Sequence, residues 1–278
     1  MSFMRHFGLA TLFLACALQT AQSAGDVSVE DLIKKSGGVA SIAELPQAMR
    51  SGLEAVKAQG LPVDETFTSA WNDAADEAFQ PAKVLPRIAE TLNGVFTQAE
   101  HDEVAAFYDT PLGVRIVQFE KDGSSFQKQA EVTAYAQSLT SDPGKYASRM
   151  ALYHQLDEAA GLTKISISLA MNMGVAIQAG MVASGKLPME LSFDDIKREA
   201  EKQRLAISQQ MAGALYASMA YIYKDLSQED MLVYINFAKS PAGAKFMAAY
   251  FAAVDLALTD ASRDFGKRLA ENFGRKPI

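Results

Sequence analysis

Cysteine is almost missing from this sequence: Cys16 is the only one in 278 residues. A disulfide framework and any multi-cysteine zinc site are therefore excluded. Histidine is nearly as scarce, with three, and tryptophan occurs once. Positive charge is short as well, 26 Lys+Arg against 33 Asp+Glu, for a formal charge of −7 and a pI near 5.1. Such a chain has little with which to neutralise a run of phosphates, so nucleic acid is not an expected partner. Period-2 runs of β-branched residues are also lacking, which excludes a sheet-based fold. What remains is an ordinary globular composition, 49% hydrophobic and 21% charged, with enough chain for one large domain or two modest ones.

The first two dozen residues have the anatomy of an export signal. Arg5 supplies the positive end, Phe7 to Leu18 is uncharged and apolar, and Gln19 to Ala24 is small and polar. The apolar run is shorter than the roughly 20 residues a spanning helix needs. Cys16 lies inside this segment, but Phe13, Leu14 and Ala15 before it do not resemble a lipoprotein site, which disfavours a lipid anchor. The expectation is cleavage after Ser23 or Ala24 and a periplasmic or secreted mature protein.

Beyond the signal, Ala, Leu, Met, Glu, Lys and Gln dominate, and an all-α fold is expected. Four helix starts carry a hydroxyl followed three residues later by an acid: Ser28/Asp31, Thr97/Glu100, Ser192/Asp195 and Ser227/Asp230. Breaks are expected at Gly37-Gly38, Gly60-Leu61-Pro62, Ser141-Asp142-Pro143-Gly144 and Gly185-Lys186-Leu187-Pro188.

The most informative feature is an internal repeat. Thr97 to Arg115 aligns without gaps onto Ser227 to Lys245, 130 residues later. Gln98, Phe107, Pro111 and Gly113 recur as Gln228, Phe237, Pro241 and Gly243, while Thr110 and Arg115 become Ser240 and Lys245. Upstream, Asp31 to Gly37 resembles Gln155 to Gly161. Two related helical units are expected, 25–147 and 148–278, behind a signal at 1–24. In each, a helix ends, Thr110 or Ser240 caps the next, and Pro111 or Pro241 takes its first position, where a missing N–H costs nothing. Gly113 and Gly243 are unfavourable inside a helix by about 1 kcal/mol each, a cost explained if backbone packs against them. The competing reading is an anion site at the helix start assisted by Arg115 and Lys245.

Both segments resemble the signature of the bacterial family called domain of unknown function 2059, helical exported proteins: a helix ending in aromatic residues, then Ser-Pro-x-Gly-x-Lys. The resemblance covers roughly two thirds of the mature chain, once per half, whereas a single copy is the commoner pattern. It implies fold and location and carries no activity.

Chemistry is harder to find. His101 lies among Glu100, Asp102 and Glu103, but consecutive helix positions fan outward, and its repeat partner is Met231; a solvated first-turn residue is expected. His154 has Asp157 and Glu158 nearby on its helix, and one His/Glu pair at i, i+4 makes neither a zinc site nor a proton relay. No nucleophile motif occurs, and Gly180 to Leu187 fails the phosphate-loop pattern at its last position. No catalytic residue, metal site or cofactor is nominated. Ile165–Gly185 and Leu205–Tyr223 contain no charge, yet Asn172, Gln178, Gln209 and Gln210 argue for helices buried in protein rather than crossing a bilayer. Met171, Met173, Met181, Met189, Met211 and Met219 add adaptable apolar surface there. The expectation is an exported, non-enzymatic envelope protein with an interaction or binding role. Its partner would be a second copy, another envelope protein or an apolar small molecule. The alternatives are a carrier with a Met-rich groove and a hydrolase with carboxylates between the repeats.

Overall fold

The structure is a computed structural model that describes residues 27–58, 60, 63–124, 128–141, 143–184 and 192–273. The expected signal, with Cys16, lies outside the described residues, as do Leu61-Pro62, Asp142, Met189 and the 185–191 break. The described residues form thirteen helices and no strand, so the fold is all-α. In order these are α1 (Val29–Lys35), α2 (Gly38–Ala43), α3 (Leu45–Ala58), α4 (Glu65–Ala78), α5 (Pro81–Leu92), α6 (Gln98–Tyr108), α7 (Pro111–Ser124), α8 (Gln129–Ser141), α9 (Pro143–Ala160), α10 (Leu162–Ala183), α11 (Phe193–Ile222), α12 (Gln228–Lys239) and α13 (Pro241–Phe273).

Local chemistry explains the helix boundaries. Ser28, Thr97, Ser192 and Ser227 each accept from the backbone N–H three residues on, and the first three form reciprocal capping boxes with Asp31, Glu100 and Asp195. Gly37 and Gly161 adopt positive φ, 80° and 68°, a conformation that favours glycine, and each turns one helix into the next. The break expected around Pro143 falls between α8 and α9; Pro143 starts α9, which runs unbroken past 147 and 148.

The 33-residue helix α13 is the central strut. It packs on α4, α5 and α6 from the first half and on α9, α10 and α12 from the second. One apolar core therefore runs through both halves, with Phe79, Ile88, Ile116, Leu156, Phe246 and Phe265 all shielded from solvent. Trp71 ties the halves together, donating its indole N–H to the Met49 carbonyl at 2.9 Å and meeting Phe265 edge-on at 4.8 Å. The α10–α13 crossing is closest where Gly180 faces the Arg263 carbonyl and Gly266 faces the Ile177 carbonyl, leaving no room for a Cβ at either.

The uncharged second-half segments are less covered than their composition suggests. In α10 only Met171, Ala176 and Gly180 are fully buried, and in α11 Leu205 is 70% exposed while Gln209 and Gln210 face solvent. Missing charge does not require burial when Ser, Gln and Ala supply a neutral surface. By length and composition alone, α10 and most of α13 are long and apolar enough to cross a membrane.

Candidate functional site

The signature residues come together at one place. Between residues 91 and 124 the helix-and-turn pattern matches that of 221 to 254, and the two corners α6–α7 and α12–α13 meet face to face. Thr110 Oγ1 accepts from Gly113 N–H at 2.9 Å; Ser240 Oγ accepts from Gly243 N–H at 3.0 Å. A Cβ on Gly113 would overlap the Phe107 carbonyl, and one on Gly243 the Phe237 carbonyl, so each glycine lets the two helices of its corner touch. Phe107 and Phe237 stack at 3.8 Å with planes 3° apart.

Around that stack the charges are exchanged between halves. Arg115 donates to Asp230 at 2.5 Å, and Lys245 donates to Glu100 at 2.7 Å. By the 130-residue offset, Arg115 corresponds to Lys245 and Asp230 to Glu100, so each half contributes one cation and one acid to the same contact. Lys245, and after it the Thr97 N–H, holds the Glu100 carboxyl at about 2; Arg115 does the same for Asp230 in direction. Arg115 and Lys245 thus have carboxylate partners within the chain. Capping, close approach and ion pairing account for Thr110, Gly113, Arg115, Ser240, Gly243 and Lys245, and Pro111 and Pro241 stand at the first positions of α7 and α13.

Next to this contact lies a cavity of about 240 Å³ whose polar centre sequence reasoning missed. Glu120, on α7, lines it together with Tyr108, Tyr223, Tyr234 and Tyr250. Tyr223 and Tyr234 both donate their hydroxyls to Glu120 Oε1, at 2.6 and 3.0 Å. No described residue donates to Oε2. Glu120 is the only carboxylate among the lining residues, and no Lys, Arg or His accompanies it. Burial pushes its carboxyl above the ordinary range, with the two tyrosine hydroxyls pulling the other way. Burial likewise raises all four phenols, Tyr250 to about 12, so they are neutral donors at physiological pH. Met219, Met247, Phe246, Phe251, Leu156 and Leu215 supply apolar wall, and Ser41 and Ser218 mark its more open side. Tyr250 fits because Gly38, facing its hydroxyl, has no Cβ.

Glu120 had one signal in the sequence: it lies four residues after Ile116 and three before Gly123, both buried, and so shares their helix face. An acid on that stripe is the anomaly.

The other candidates go elsewhere. His101 is half-buried rather than solvated: its Nδ1 lies 2.6 Å from the Val27 carbonyl, Nε2 is buried without a hydrogen bond, and the ring sits 5.6 Å from Phe96. His154 packs its ring on Tyr216 at 4.5 Å, at the edge of a wider, open groove of about 690 Å³. Asp157 in that groove is occupied in capping α10: burial opposes its ionisation, but Thr163 N–H, Thr163 Oγ1 and Tyr216 OH, each at 2.7 Å, hold its carboxyl below the usual range. The methionines are dispersed, Met219 in the Glu120 cavity and Met171 in a separate groove between α10, α11 and α13. Among the described residues no group of three His, Cys, Asp or Glu side chains is placed to hold a metal.

No protein-family model, no curated protein and no solved structure matches the chain.

Proposed function

We propose that this chain is an exported, non-enzymatic helical protein of the bacterial cell envelope that binds a small molecule in the cavity around Glu120. The observation that carries the reading is the cavity itself: an apolar chamber with one carboxylate, fixed by two tyrosine hydroxyls at 2.6 and 3.0 Å and left with an unused oxygen. Apolar walls with a few convergent polar groups are the usual make-up of a ligand site. A hydrolase of the two-carboxylate kind needs a second acid here, and Glu120 has none beside it. Export to the periplasm or beyond is supported by Arg5 and the Phe7–Leu18 run, and the two tandem units by the 130-residue repeat. The resemblance to the domain of unknown function 2059 family rests on the two Ser/Thr-Pro-x-Gly-x-Lys/Arg segments.

The half-covered surface of α10 and α11, with Phe193 and Leu205 exposed, supports self-association as a second role. The signal-cleaved chain is expected to be soluble without detergent and released from membranes by alkaline carbonate. Native mass spectrometry of protein purified from its own envelope tests the binding reading and reports stoichiometry at once. The expected result is a small-molecule adduct that disappears in Ser218→Trp, which fills the cavity. An adduct-free wild type, or an adduct retained by the variant, refutes it.

A further inference from the structure

We propose that the cavity takes a small organic cation, its ammonium group set against Glu120 and surrounded by Tyr108, Tyr223, Tyr234 and Tyr250. The inference rests on the binding role argued above and supplies the chemical class of the ligand.

Charge is the first argument. A carboxylate in an apolar chamber is costly unless a cation or a full set of hydrogen bonds accompanies it. Glu120 has two hydrogen bonds, both on Oε1, and the cavity lining offers no cation from any helix that faces it. The groups facing it from α6, α12 and α13 are Tyr108, Tyr234 and Tyr250, with Tyr223 at the end of α11, all neutral. The missing half of an ion pair is what an ammonium ligand brings. An anion would meet the carboxylate with nothing to offset it, and a purely apolar ligand would leave Oε2 unpartnered.

The aromatic walls are the second argument. Tyr223 and Tyr234 meet edge to face at 6.1 Å, and Phe246 and Tyr250 lie nearly parallel at 5.7 Å. Rings packed in this way around one charge are suited to cations, whose attraction to the aromatic face persists when both are desolvated. Phenols held neutral by burial keep both their π-faces and their hydroxyl donors. Size is the third. A volume of about 240 Å³ is below the 300 Å³ or so at the low end of drug-sized sites, and admits a compact head group.

Titration calorimetry on the signal-free full chain provides the test, with choline, tetramethylammonium and 3,3-dimethyl-1-butanol, the uncharged isostere of choline. The expected result is that choline binds at least tenfold more tightly than the isostere. Its affinity should rise between pH 5 and pH 8, and Glu120→Gln should lose at least tenfold. Circular dichroism and the melting transition establish that the variant is folded, and Val114→Ala, at an exposed position of α7 outside the cavity lining, should retain binding. An isostere that binds as well as choline overturns the cation assignment while leaving an apolar ligand site in place. Binding of choline undiminished in Glu120→Gln also overturns it. If none of the three probes binds, the cation assignment falls, and the adduct test with Ser218→Trp decides the cavity separately.

Discussion

The two halves of the molecule build the same corner and then diverge about two helical turns away. Both corners have a capping hydroxyl, a proline at the first helical position and a glycine against the preceding carbonyl. At the same 130-residue offset, Glu120 of the first half corresponds to Tyr250 of the second, Tyr234 to Val104, Tyr223 to Asn93 and Tyr108 to Ala238. Glu120 and Tyr250 both line the cavity, whereas Val104, Asn93 and Ala238 lie outside its lining. The corner therefore belongs to the architecture, which both halves need, and the Glu120 cavity to whatever only one side does. The side chains that pack the corners recur, and those around Glu120 do not.

The glycines offer the most forceful way to break the equivalence. Gly113→Ala and Gly243→Ala each drive a methyl into backbone that cannot yield as a side chain would, so each should destabilise by roughly 3 kcal/mol. Chemical denaturation of the two variants checks this. Losses of similar size support two equivalent corners, whereas a neutral Gly243→Ala would remove the packing explanation.

Glu120→Gln probes the point of divergence. The Glu120 carboxyl is raised in the folded chain, so below about 4.5 it is protonated in both states and costs nothing extra. As pH rises from there through the folded value, the unfolded chain ionises first and stability is lost. The glutamine variant should therefore match the wild type near pH 4 and exceed it in stability at pH 8. Melting curves across that range measure the difference. At the corresponding second-half position, Tyr250→Phe should change stability by an amount independent of pH in the same window.

The caps are weaker and again paired. Thr110→Ala and Ser240→Ala should each cost about 1 kcal/mol, the usual value for a lost helix cap, in equilibrium unfolding. Phosphate should not raise the melting temperature of the wild type, because Arg115 and Lys245 are committed to Asp230 and Glu100. The exchanged ion pairs are partly exposed and should have the smallest effect. Lys245→Ala should reveal itself mainly in acid. Glu100 is depressed to about 2, so its contribution is present above about 4.5 and fades as pH falls toward 2. Removing Lys245 should flatten the acid limb of the stability profile, as measured by urea titrations at successive pH values.

The parts of this structure that were legible in the sequence are those set by near neighbours. A cap needs a hydroxyl and an N–H three residues away, and Ser28, Thr97, Ser192 and Ser227 all form one. The corners were legible for the same reason, with the repeat indicating which glycines mattered. What was not legible depends on residues far apart in the chain. Glu120 takes its character from Tyr223 and Tyr234, 103 and 114 residues away, and nothing within one turn announces them. His101 departs from the solvated position its helix spacing indicates because Val27, 74 residues earlier, lies against it. The uncharged helices were expected to be buried because charge was absent. Coverage depends instead on how many neighbours reach α10 and α11, and Leu205 has too few.

The protonation of Glu120 itself tests the account most directly. Carboxyl-selective nuclear magnetic resonance titration of the signal-free chain, with the resonance assigned by Glu120→Gln, gives its pKa with and without choline. The account predicts a value above the ordinary 4.5 in the free protein, falling when choline is added. A free-protein value at or below 4.5, or a raised value that choline leaves unmoved, would contradict it.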